Sequence, residues 1–311
     1  MRTPDLFRLD GKVALVTGGA GIVGRPIVRA LAEAGARVVV ASRDGERCGA
    51  FARQLAGEGL DVEADTCDLA SESDVRALRD RILERHHKLD VLFNNAVARA
   101  GGDLRHMTAA QWEAPMRVNS TGLFLSCQIF SEPMQTQCSG SIVNIASIYG
   151  MVGPDFSIYA GTTITNPANY AFSKGGIISL TRYLASYLAA YNVRVNCLSP
   201  GGFQTDQTPE KFVENYRRRH SAQVGAAVKN DQQRRRRTIR SVAGWRIDRY
   251  ASLVLQPLAL QREHSDRACR RRRILDVPRL RRGTWHFHRR FATFEGRTWR
   301  ARAVRIQRIR L

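Results

Sequence analysis

The sequence predicts an α/β fold, a doubly wound parallel sheet of the Rossmann type, over residues 1–219. Short apolar, β-branched runs alternate with segments of helical periodicity, and a glycine-rich turn joins the first of these runs to the first helix. Strands that are buried on both faces read as continuous apolar runs, which is typical of a parallel sheet covered by helices. Residues 220–311 form an atypical arginine-rich segment in which the alternation stops.

The first unit of the predicted sheet begins at Lys12 with an apolar run that ends at Thr17. The turn that follows reads Gly18-Gly19-Ala20-Gly21-Ile22-Val23-Gly24, and a helical pattern then continues to Ala32 before a second buried strand over 37–41. The unpaired N–H groups at the N-terminus of such a helix can receive a phosphate. This unit therefore predicts a cofactor site at the first turn.

The later units repeat this plan. Ser71 offers an N-cap to the helix that follows it, one strand ends in Asn94-Asn95-Ala96, and another delivers Ser147. Because ligands bind parallel sheets at the carboxyl ends of the strands, these residues are candidates for the site. Predicted helices cover 44–56, 71–86, 108–130 and 170–188, and predicted strands cover 62–64, 91–93, 141–145 and 193–197.

Proton-transfer chemistry is predicted from Tyr170 and Lys174, which are four positions apart in a predicted helix. Side chains at that spacing leave the same face. An ammonium held near a phenol favours the phenolate, so the pair can act as a general acid or base. Ser147, if it folds opposite, can hold the oxygen of a carbonyl or alcohol. Tyr159 lies nearer to Ser147 in sequence, but Thr163 stands where its lysine partner would be.

Residues 12 to about 219 resemble the short-chain dehydrogenase/reductase family, because seven of its motifs occur in the family's order. The motifs are Thr17-Gly18-Gly19-Ala20-Gly21-Ile22-Val23-Gly24, Asp68, Asn94-Asn95-Ala96, Asn119, Ser147, Tyr170 with Lys174, and Pro200-Gly201. The glycine spacing is closer to that of the family's extended members, with Ile22 where a glycine is commoner. The resemblance implies an NAD(P)-dependent carbonyl reductase or alcohol dehydrogenase.

The resemblance also implies a role for each site residue. Tyr170 would donate the proton, Lys174 would hold the nicotinamide ribose, and Ser147 would orient the substrate carbonyl. Asn119 would hold a water in the proton relay, although it can also be read as a polar residue inside a helix. Cofactor contacts are implied for Thr17, Gly18, Gly21, Ile22, Gly24, Arg43, Asp68, Leu69, Asn94, Ala96, Tyr170, Lys174, Pro200 and Gly201.

The residues after the second strand favour NADP. Arg43 follows Ser42 there, and an arginine accommodates the 2′-phosphate of NADP, whereas an acidic group such as Asp44 would bind the ribose 2′-hydroxyl of NAD. NAD stays open as the alternative. The stretch 153–169 reads as an insertion at the mouth of the site, where a loop shapes substrate choice. Its polar residues, similar to family members linked to sugar, polysaccharide or flagellin modification, suggest a sugar or polyol substrate.

Composition restricts the remaining classes of protein. No apolar run reaches the length that spans a membrane, and the N-terminus has no charged-then-apolar signal pattern, which predicts a cytoplasmic protein without a membrane partner. Cysteines and histidines lack metal-ligand spacing, so we expect no metal site. The family resemblance implies a homodimer or homotetramer, provided that the C-terminus allows it.

Charge divides the chain into two unlike parts. Residues 1–210 contain 20 Lys and Arg against 21 Asp and Glu, whereas residues 211–311 contain 29 against 7. Arginine accounts for 27 of those 29 basic residues, and such pure arginine usage makes nucleic acid a poor fit as a partner. We expect residues 220–311 to be disordered or translated out of frame.

The out-of-frame explanation rests on Arg270 to Arg273 and Ile274. If these arginines are CGN codons, the reading one base on permits Val-Asp-Gly-Gly followed by Phe, Tyr or Ser, which resembles the family's usual C-terminal strand. A genuine basic tail that binds nucleic acid, a second folded domain and a cofactor-binding protein with little or no catalysis stay as alternatives. An intact reading frame across codons 215–280 in a fresh isolate would exclude the out-of-frame explanation.

Overall fold

The computed structural model describes residues 7–219, and the predictions for residues 220–311 lie outside that range. Within it, six parallel strands form one sheet in the order β3-β2-β1-β4-β5-β6. The strands are β1 (Val13–Thr17), β2 (Arg37–Ser42), β3 (Val62–Thr66), β4 (Val91–Asn94), β5 (Gly140–Ile145) and β6 (Val193–Leu198). The helices are α1 (Gly24–Glu33), α2 (Gly45–Ala56), α3 (Glu72–His86), α4 (Ala109–Met116), α5 (Leu123–Thr136), α6 (Ala168–Leu188) and α7 (Glu210–Arg219).

Two apolar layers cover the two faces of this sheet. Ala14 and Val16 of β1 pack into the layer that includes α1 and α2, whereas Leu15 packs into the layer of α3, α5 and α6. All three side chains are fully buried, and burial of a Leu or Val side chain stabilises by about 1.5–3 kcal/mol. Because successive residues of a strand alternate between faces, this arrangement confirms the doubly wound parallel sheet.

The strand order reverses between β1 and β4, the two neighbours in the middle of the sheet. Their carboxyl ends are in register, with Thr17 opposite Asn94. A crevice opens at such a reversal, because the connections from the two strands leave in opposite directions. The glycine-rich turn and the Asn94-Asn95-Ala96 turn therefore face each other at this crevice.

The helix predicted over 108–130 differs from the structure in two ways. It begins with Thr108 as the N-cap of α4, but a π-helical turn over Arg117–Gly122 separates α4 from α5. It also continues to Thr136, past Pro133. The proline cannot donate a backbone hydrogen bond, and the burial of the Met134 side chain offsets the free energy lost with that bond. A π-turn shifts the helical register by one residue, and the buried Asn119 lies within this turn.

Other boundaries shift by a few residues. The predicted helix at 170–188 begins at Ala168, and the predicted strand at 62–64 extends to Thr66. The sequence did not predict α7, which packs Tyr216 into the loop that follows β6. Among residues 7–219, no helix combines the length and apolar character needed to cross a membrane.

Candidate functional site

The glycine-rich turn after β1 needs the first and third glycines of its Gly18-x-x-Gly21-x-x-Gly24 pattern. Gly18 has a φ of +63°, and a Cβ there would lie 2.8 Å from Cα of Ala96. A Cβ on Gly24 would collide with the carbonyl oxygen of Gly18 and lie 2.6 Å from Cα of Gly19. The first glycine thus permits a left-handed turn against β4, and the third lets the start of α1 approach the turn. Gly21 lies between them, with its N–H donating to the Gly18 carbonyl at 3.0 Å.

Thr17 and Asn95 hold this turn against the end of β4. The Thr17 hydroxyl accepts N–H groups from Asn95 at 3.2 Å and Ala96 at 3.3 Å. The Asn95 amide donates to the carbonyl of Gly18 at 2.9 Å. Thr17 and Ala96 were predicted site residues, whereas Asn95 was not assigned a role. Its signal in the sequence was its place in the Asn94-Asn95-Ala96 motif.

The side chain of Asn94 points into the protein. It accepts from the Ser126 hydroxyl at 2.6 Å and donates to Oδ1 of Asn144 at 2.8 Å, and all three residues are buried. The amide of Asn144 continues the chain to Thr181 on α6 at 3.0 Å. This network joins β4, α5, β5 and α6 beneath the crevice. The predicted contact of Asn94 with the cofactor ribose stays a prediction, and its side chain has a structural role.

Arg43 and Asp44, the two residues that bear on NADP or NAD, have different surroundings. Asp44 is the N-cap of α2, and its carboxylate accepts the Arg47 N–H at 2.9 Å. Arg43 is exposed, and within residues 7–219 its side chain makes no hydrogen bond or ion pair. The carboxylate is therefore engaged in a local turn, whereas the guanidinium is available to an anionic group.

The predicted residues of the adenine end lie on two loops. Asp68 accepts the N–H of Ala70 at 3.0 Å and follows β3. Leu69 is buried, and a Cβ on Gly122 would lie 3.0 Å from its carbonyl carbon, so α5 meets this loop closely. Ile22 is 52% exposed in the glycine-rich turn. The contact of Asp68 with adenine and the contacts of Leu69 and Ile22 with the cofactor stay predictions.

Lys174 lies beside Tyr170, as the helical spacing predicted. Its ammonium is 5.6 Å from the centroid of the Tyr170 ring and donates to the carbonyl of Ile145 at 2.7 Å. Only 4% of Lys174 is exposed. Burial, and then repulsion from Arg99, lowers the pKa of Lys174 from 10.5 to about 8. The cation therefore stays next to Tyr170 at neutral pH, at an electrostatic cost.

Ser147 lies close to Ile145, the last residue of β5, whose carbonyl accepts a hydrogen bond from the Lys174 ammonium. It follows β5 two residues after Ile145, is buried, and accepts the N–H of Tyr149 at 3.2 Å. A Cβ on Gly150, three residues on, would lie 2.5 Å from the carbonyl carbon of Lys174. The turn after Ser147 therefore packs directly on α6, which brings the serine and the lysine to one side of the crevice.

The loop after β6 completes this side of the crevice. The carbonyl of Pro200 accepts the N–H of Ile148 at 3.1 Å, so the loop is fixed to the turn that follows Ser147. Gly201 approaches the hydroxyl of Tyr216, and that hydroxyl accepts the N–H of Gly202 at 3.0 Å. Pro200 and Gly201 thus lie beside the Ser147 turn, and their contacts with a cofactor stay predictions.

The side chain of Asn119 forms two hydrogen bonds within the protein. Its oxygen accepts the Ala98 N–H at 2.8 Å, and its nitrogen donates to the Ala98 carbonyl at 2.9 Å. The residue is buried in the π-turn between α4 and α5. Asn119 therefore fixes the segment after Asn94-Asn95-Ala96. The predicted water in a proton relay stays a prediction.

Comparison with known proteins decides the family. A family model for short chain dehydrogenase matches residues 12–215. The chain belongs to the short-chain dehydrogenase family. As a member, it is an NAD(P)-dependent oxidoreductase that acts on CH–OH or C=O groups.

Individual relatives of this short-chain dehydrogenase differ in the substrates that their names state. A 3-oxoacyl-(acyl-carrier-protein) reductase of Chlamydia pneumoniae is 37% identical over 200 residues, which are 64% of this chain and 77% of the relative. D-threitol dehydrogenase of Mycolicibacterium smegmatis is 33% identical over 194 residues, which are 62% of this chain and 71% of that enzyme. The crystal structure of a gluconate 5-dehydrogenase from Burkholderia cenocepacia, in complex with NADP and tartrate, superposes with a TM-score of 0.65 at 31% identity, over 73% of this chain and 87% of that one.

Asn169, which precedes Tyr170 in this short-chain dehydrogenase, is a positioning residue that the sequence did not reveal. Its amide donates to the carbonyls of Ala100 at 3.2 Å and Gln111 at 3.0 Å, and only 2% of the residue is exposed. It thereby ties the start of α6 to the segment after β4 and to α4. No sequence signal marked it, because both partners are more than 50 residues away.

The inserted stretch 153–169 forms a wall beside the turn that follows Ser147. The Tyr159 hydroxyl donates to that of Tyr149 at 3.2 Å and lies 3.5 Å from the amide nitrogen of Asn166. Burial raises the pKa of Tyr149. Tyr159 also packs on Phe212 of α7, with ring centroids 5.3 Å apart. Tyr159, which has no lysine four positions on, therefore packs against other aromatic side chains, Tyr149 and Phe212.

Among residues 7–219, one buried side-chain atom lacks a hydrogen-bond partner, and it lies in this wall. It is the amide oxygen of Asn166. Such an atom costs about 1–3 kcal/mol relative to one that is paired. Within the same residues no cluster of His, Cys, Asp or Glu could hold a metal ion.

Proposed function

We propose that this chain transfers hydride between NADP and a sugar or polyol derivative, with Tyr170 as the general acid or base. The observation that carries the proposal is the buried ammonium of Lys174, 5.6 Å from the Tyr170 ring and bonded to the carbonyl that ends β5. An ammonium in that position can stabilise the negative charge that forms on the Tyr170 oxygen when its hydroxyl gives a proton to a substrate oxygen.

Each protein group in the mechanism has one task. The cofactor, when bound, accepts or supplies the hydride. The Ser147 hydroxyl donates a hydrogen bond to the substrate oxygen and holds that oxygen in place. Tyr170 gives the same oxygen a proton during reduction, or takes the proton from it during oxidation. Lys174 stabilises the phenolate that forms when Tyr170 has lost its proton. Asn119 keeps the neighbouring segment fixed through Ala98.

NADP is preferred over NAD on the geometry after β2. The free guanidinium of Arg43 suits a 2′-phosphate, whereas the carboxylate of Asp44 already caps α2. The gluconate 5-dehydrogenase that this chain resembles was crystallised with NADP, which supports the same choice.

The substrate class is supported by the inserted wall and by the names of relatives. Tyr149, Tyr159 and Asn166 bring hydroxyl and amide groups together, and such groups match the hydroxyls of a sugar or polyol. A threitol dehydrogenase and a gluconate dehydrogenase are among the proteins that this chain resembles. The family-based expectations of a homodimer or homotetramer and of a cytoplasmic location stay part of the proposal.

The test is turnover by the full-length chain, compared with Tyr170→Phe and with Tyr183→Phe, an exposed tyrosine of α6, as the matched control. Binding of NADPH and NADH is followed by quenching of protein fluorescence, and turnover is measured on keto-sugars and small ketones. We expect Tyr170→Phe to bind NADPH normally and to lose about 10²- to 10⁴-fold in kcat. Full activity in Tyr170→Phe would refute the assignment, and NADPH binding without any turnover by the unmodified chain would favour a cofactor-binding protein.

A further inference from the structure

The guanidinium of Arg99 lies over the ring of Tyr170. Its central carbon is 5.5 Å from the ring centroid, and the ammonium of Lys174 is 5.6 Å from the same centroid. Arg99 is exposed, and within residues 7–219 its side chain makes no hydrogen bond or ion pair. Two cations therefore lie beside the tyrosine that carries out proton transfer, and one of them has all its donors free.

The backbone on both sides of Arg99 is fixed by buried amides. Asn119 pairs with both the N–H and the carbonyl of Ala98. Asn169 donates to the carbonyl of Ala100 at 3.2 Å and directly precedes Tyr170. Only 5% of Asn119 and 2% of Asn169 are exposed. The backbone on both sides of Arg99 is thus held by two hydrogen-bonded anchors, which place its Cα close to Tyr170.

The surrounding charges leave these cations without an acidic partner. Arg99 acts on Lys174 by repulsion, and burial and Arg99 together lower the pKa of Lys174. No carboxylate is among the groups that act on Lys174, and no ion pair of the described residues includes Arg99. A negative charge bound beside Arg99 would relieve this repulsion, whereas an uncharged group would not. The arrangement therefore fits an anion.

We propose that Arg99 binds an anionic group of the substrate, a carboxylate or a phosphate, and thereby selects hydroxy acids, keto acids or sugar phosphates over uncharged sugars and polyols. The inference rests on the proposed function, because Arg99 reaches the substrate only where Tyr170 also acts. A guanidinium presents paired N–H donors that match a carboxylate or phosphate bidentately, and such charge-assisted bonds are the strong ones. Arg99 is a specificity-determining residue in this account, and it does not take part in proton transfer.

Substrate pairs that differ only in the anionic group test this proposal. Sorbose is 5-ketogluconate with CH₂OH in place of the carboxylate, and fructose is fructose 6-phosphate without its phosphate. The ratio of kcat/KM for the charged ketone to that for its uncharged partner is measured with the full-length chain and NADPH. We expect a preference for one of the charged ketones, and which pair shows it distinguishes carboxylate from phosphate.

Two arginine variants identify the residue responsible. Arg99→Gln is expected to lower the charged-to-uncharged ratio by about 10- to 100-fold, the cost of losing one charge-assisted contact, and Arg99→Lys to recover part of it. Arg105→Gln removes the same charge from the same exposed segment, six positions on, and we expect it to leave the ratio unchanged. Equal loss for both members of a pair would make Arg99 a support for Tyr170 only, and would overturn the proposal.

A binding measurement separates this inference from the proposed function. Tartrate and threitol share a four-carbon diol and differ by carboxylate against CH₂OH, so calorimetric titration of the NADP-loaded chain with each needs no turnover. We expect tartrate to bind more tightly than threitol, and Arg99→Gln to abolish the difference. Selective tartrate binding without turnover of any ketone would leave the anion site standing and reject the enzyme function. Turnover of both members of every pair with equal kcat/KM would support the enzyme function and reject the anion site. A change in NADP affinity alone would assign Arg99 to the cofactor and overturn the proposal.

Discussion

The two halves of the crevice are built by different means. In the cofactor half, formed by β1, β2 and the turns after them, the decisive contacts are between backbone atoms, as at Gly18 and Gly24. In the substrate half, formed by β4 to β6, the inserted wall and α7, the decisive groups are buried or unpartnered side chains such as Lys174, Arg99 and Asn166. In the first half, the guanidinium of Arg43 is exposed and has no partner among residues 7–219. The second half contains two cations, Lys174 and Arg99, that have no acidic partner among residues 7–219. It also contains the amide oxygen of Asn166, which is buried without a hydrogen-bond partner. Such groups are available to a ligand.

The largest effect that tests this contrast is expected at Lys174, in the substrate half. Its pKa is lowered from 10.5 to about 8 by burial and by Arg99, and a difference of this size corresponds to about 3 kcal/mol. Between these pH values the unfolded chain binds the proton and the folded chain does not. The free energy of unfolding should therefore rise with pH between about 8 and 10.5, relative to a variant without the amine.

Urea denaturation of the cofactor-free chain and of Lys174→Met, from pH 7.5 to 10.5, measures this effect. We expect the difference in unfolding free energy between the two proteins to change by about 3 kcal/mol in favour of the unmodified chain as the pH rises. Lys211→Met, which removes an exposed lysine paired with Glu214, controls for loss of a positive charge. Parallel pH curves for the chain and Lys174→Met would show that burial imposes no cost on this ammonium.

A smaller effect is expected in the cofactor half, at Arg43. Its free guanidinium is the side chain there that should distinguish two cofactors with the same backbone contacts. Arg43→Gln should weaken NADPH binding by about 10- to 100-fold, because one charge-assisted contact is lost, and should leave NADH binding unchanged. The dissociation constants are read from fluorescence quenching.

Arg53→Gln is the matched control for this prediction, since it removes an exposed arginine from the far end of α2. It should leave both dissociation constants unchanged. Equal weakening of NADPH and NADH by Arg43→Gln would mean that the arginine contacts a part common to both cofactors, and the NADP preference would then lose its structural basis.

The same contrast explains how far the sequence could predict the molecule. The sheet, the glycine turn and the pairing of Tyr170 with Lys174 depend on residue types at short, fixed spacings, so they were readable and the fold is confirmed. The inward direction of Asn94 and the backbone pairing of Asn119 depend on partners 21 to 50 residues away and on a π-turn. No local pattern signals such a turn, and the sequence therefore did not indicate these contacts within the protein.

Arg99 and Asn169 are residues near the site that the sequence did not reveal. Neither belongs to a motif, and no pattern in the sequence distinguishes this arginine from the many others in the chain. Asn169 became visible only because the fold brings Ala100 and Gln111, 69 and 58 residues away, to its amide. Residues that position a site through long-range hydrogen bonds are therefore found from the structure, even where the catalytic pair is found from spacing.

The smallest effect is expected at Asn166, and Asn169 provides its comparison. Both asparagines are buried, but the Asn166 amide oxygen has no partner, whereas the Asn169 amide satisfies two carbonyls. Replacing Asn166 with Leu removes an unsatisfied polar atom and one long contact of 3.5 Å with Tyr159. We therefore expect the unfolding free energy to stay within about 1 kcal/mol of the original, whereas Asn169→Leu should cost about 2 kcal/mol or more because two carbonyls lose their donor. Urea denaturation at pH 7.5 measures both. Equal destabilisation by the two variants would mean that Asn166 is as well satisfied as Asn169, and the substrate half would then contain no polar group waiting for a partner in its wall.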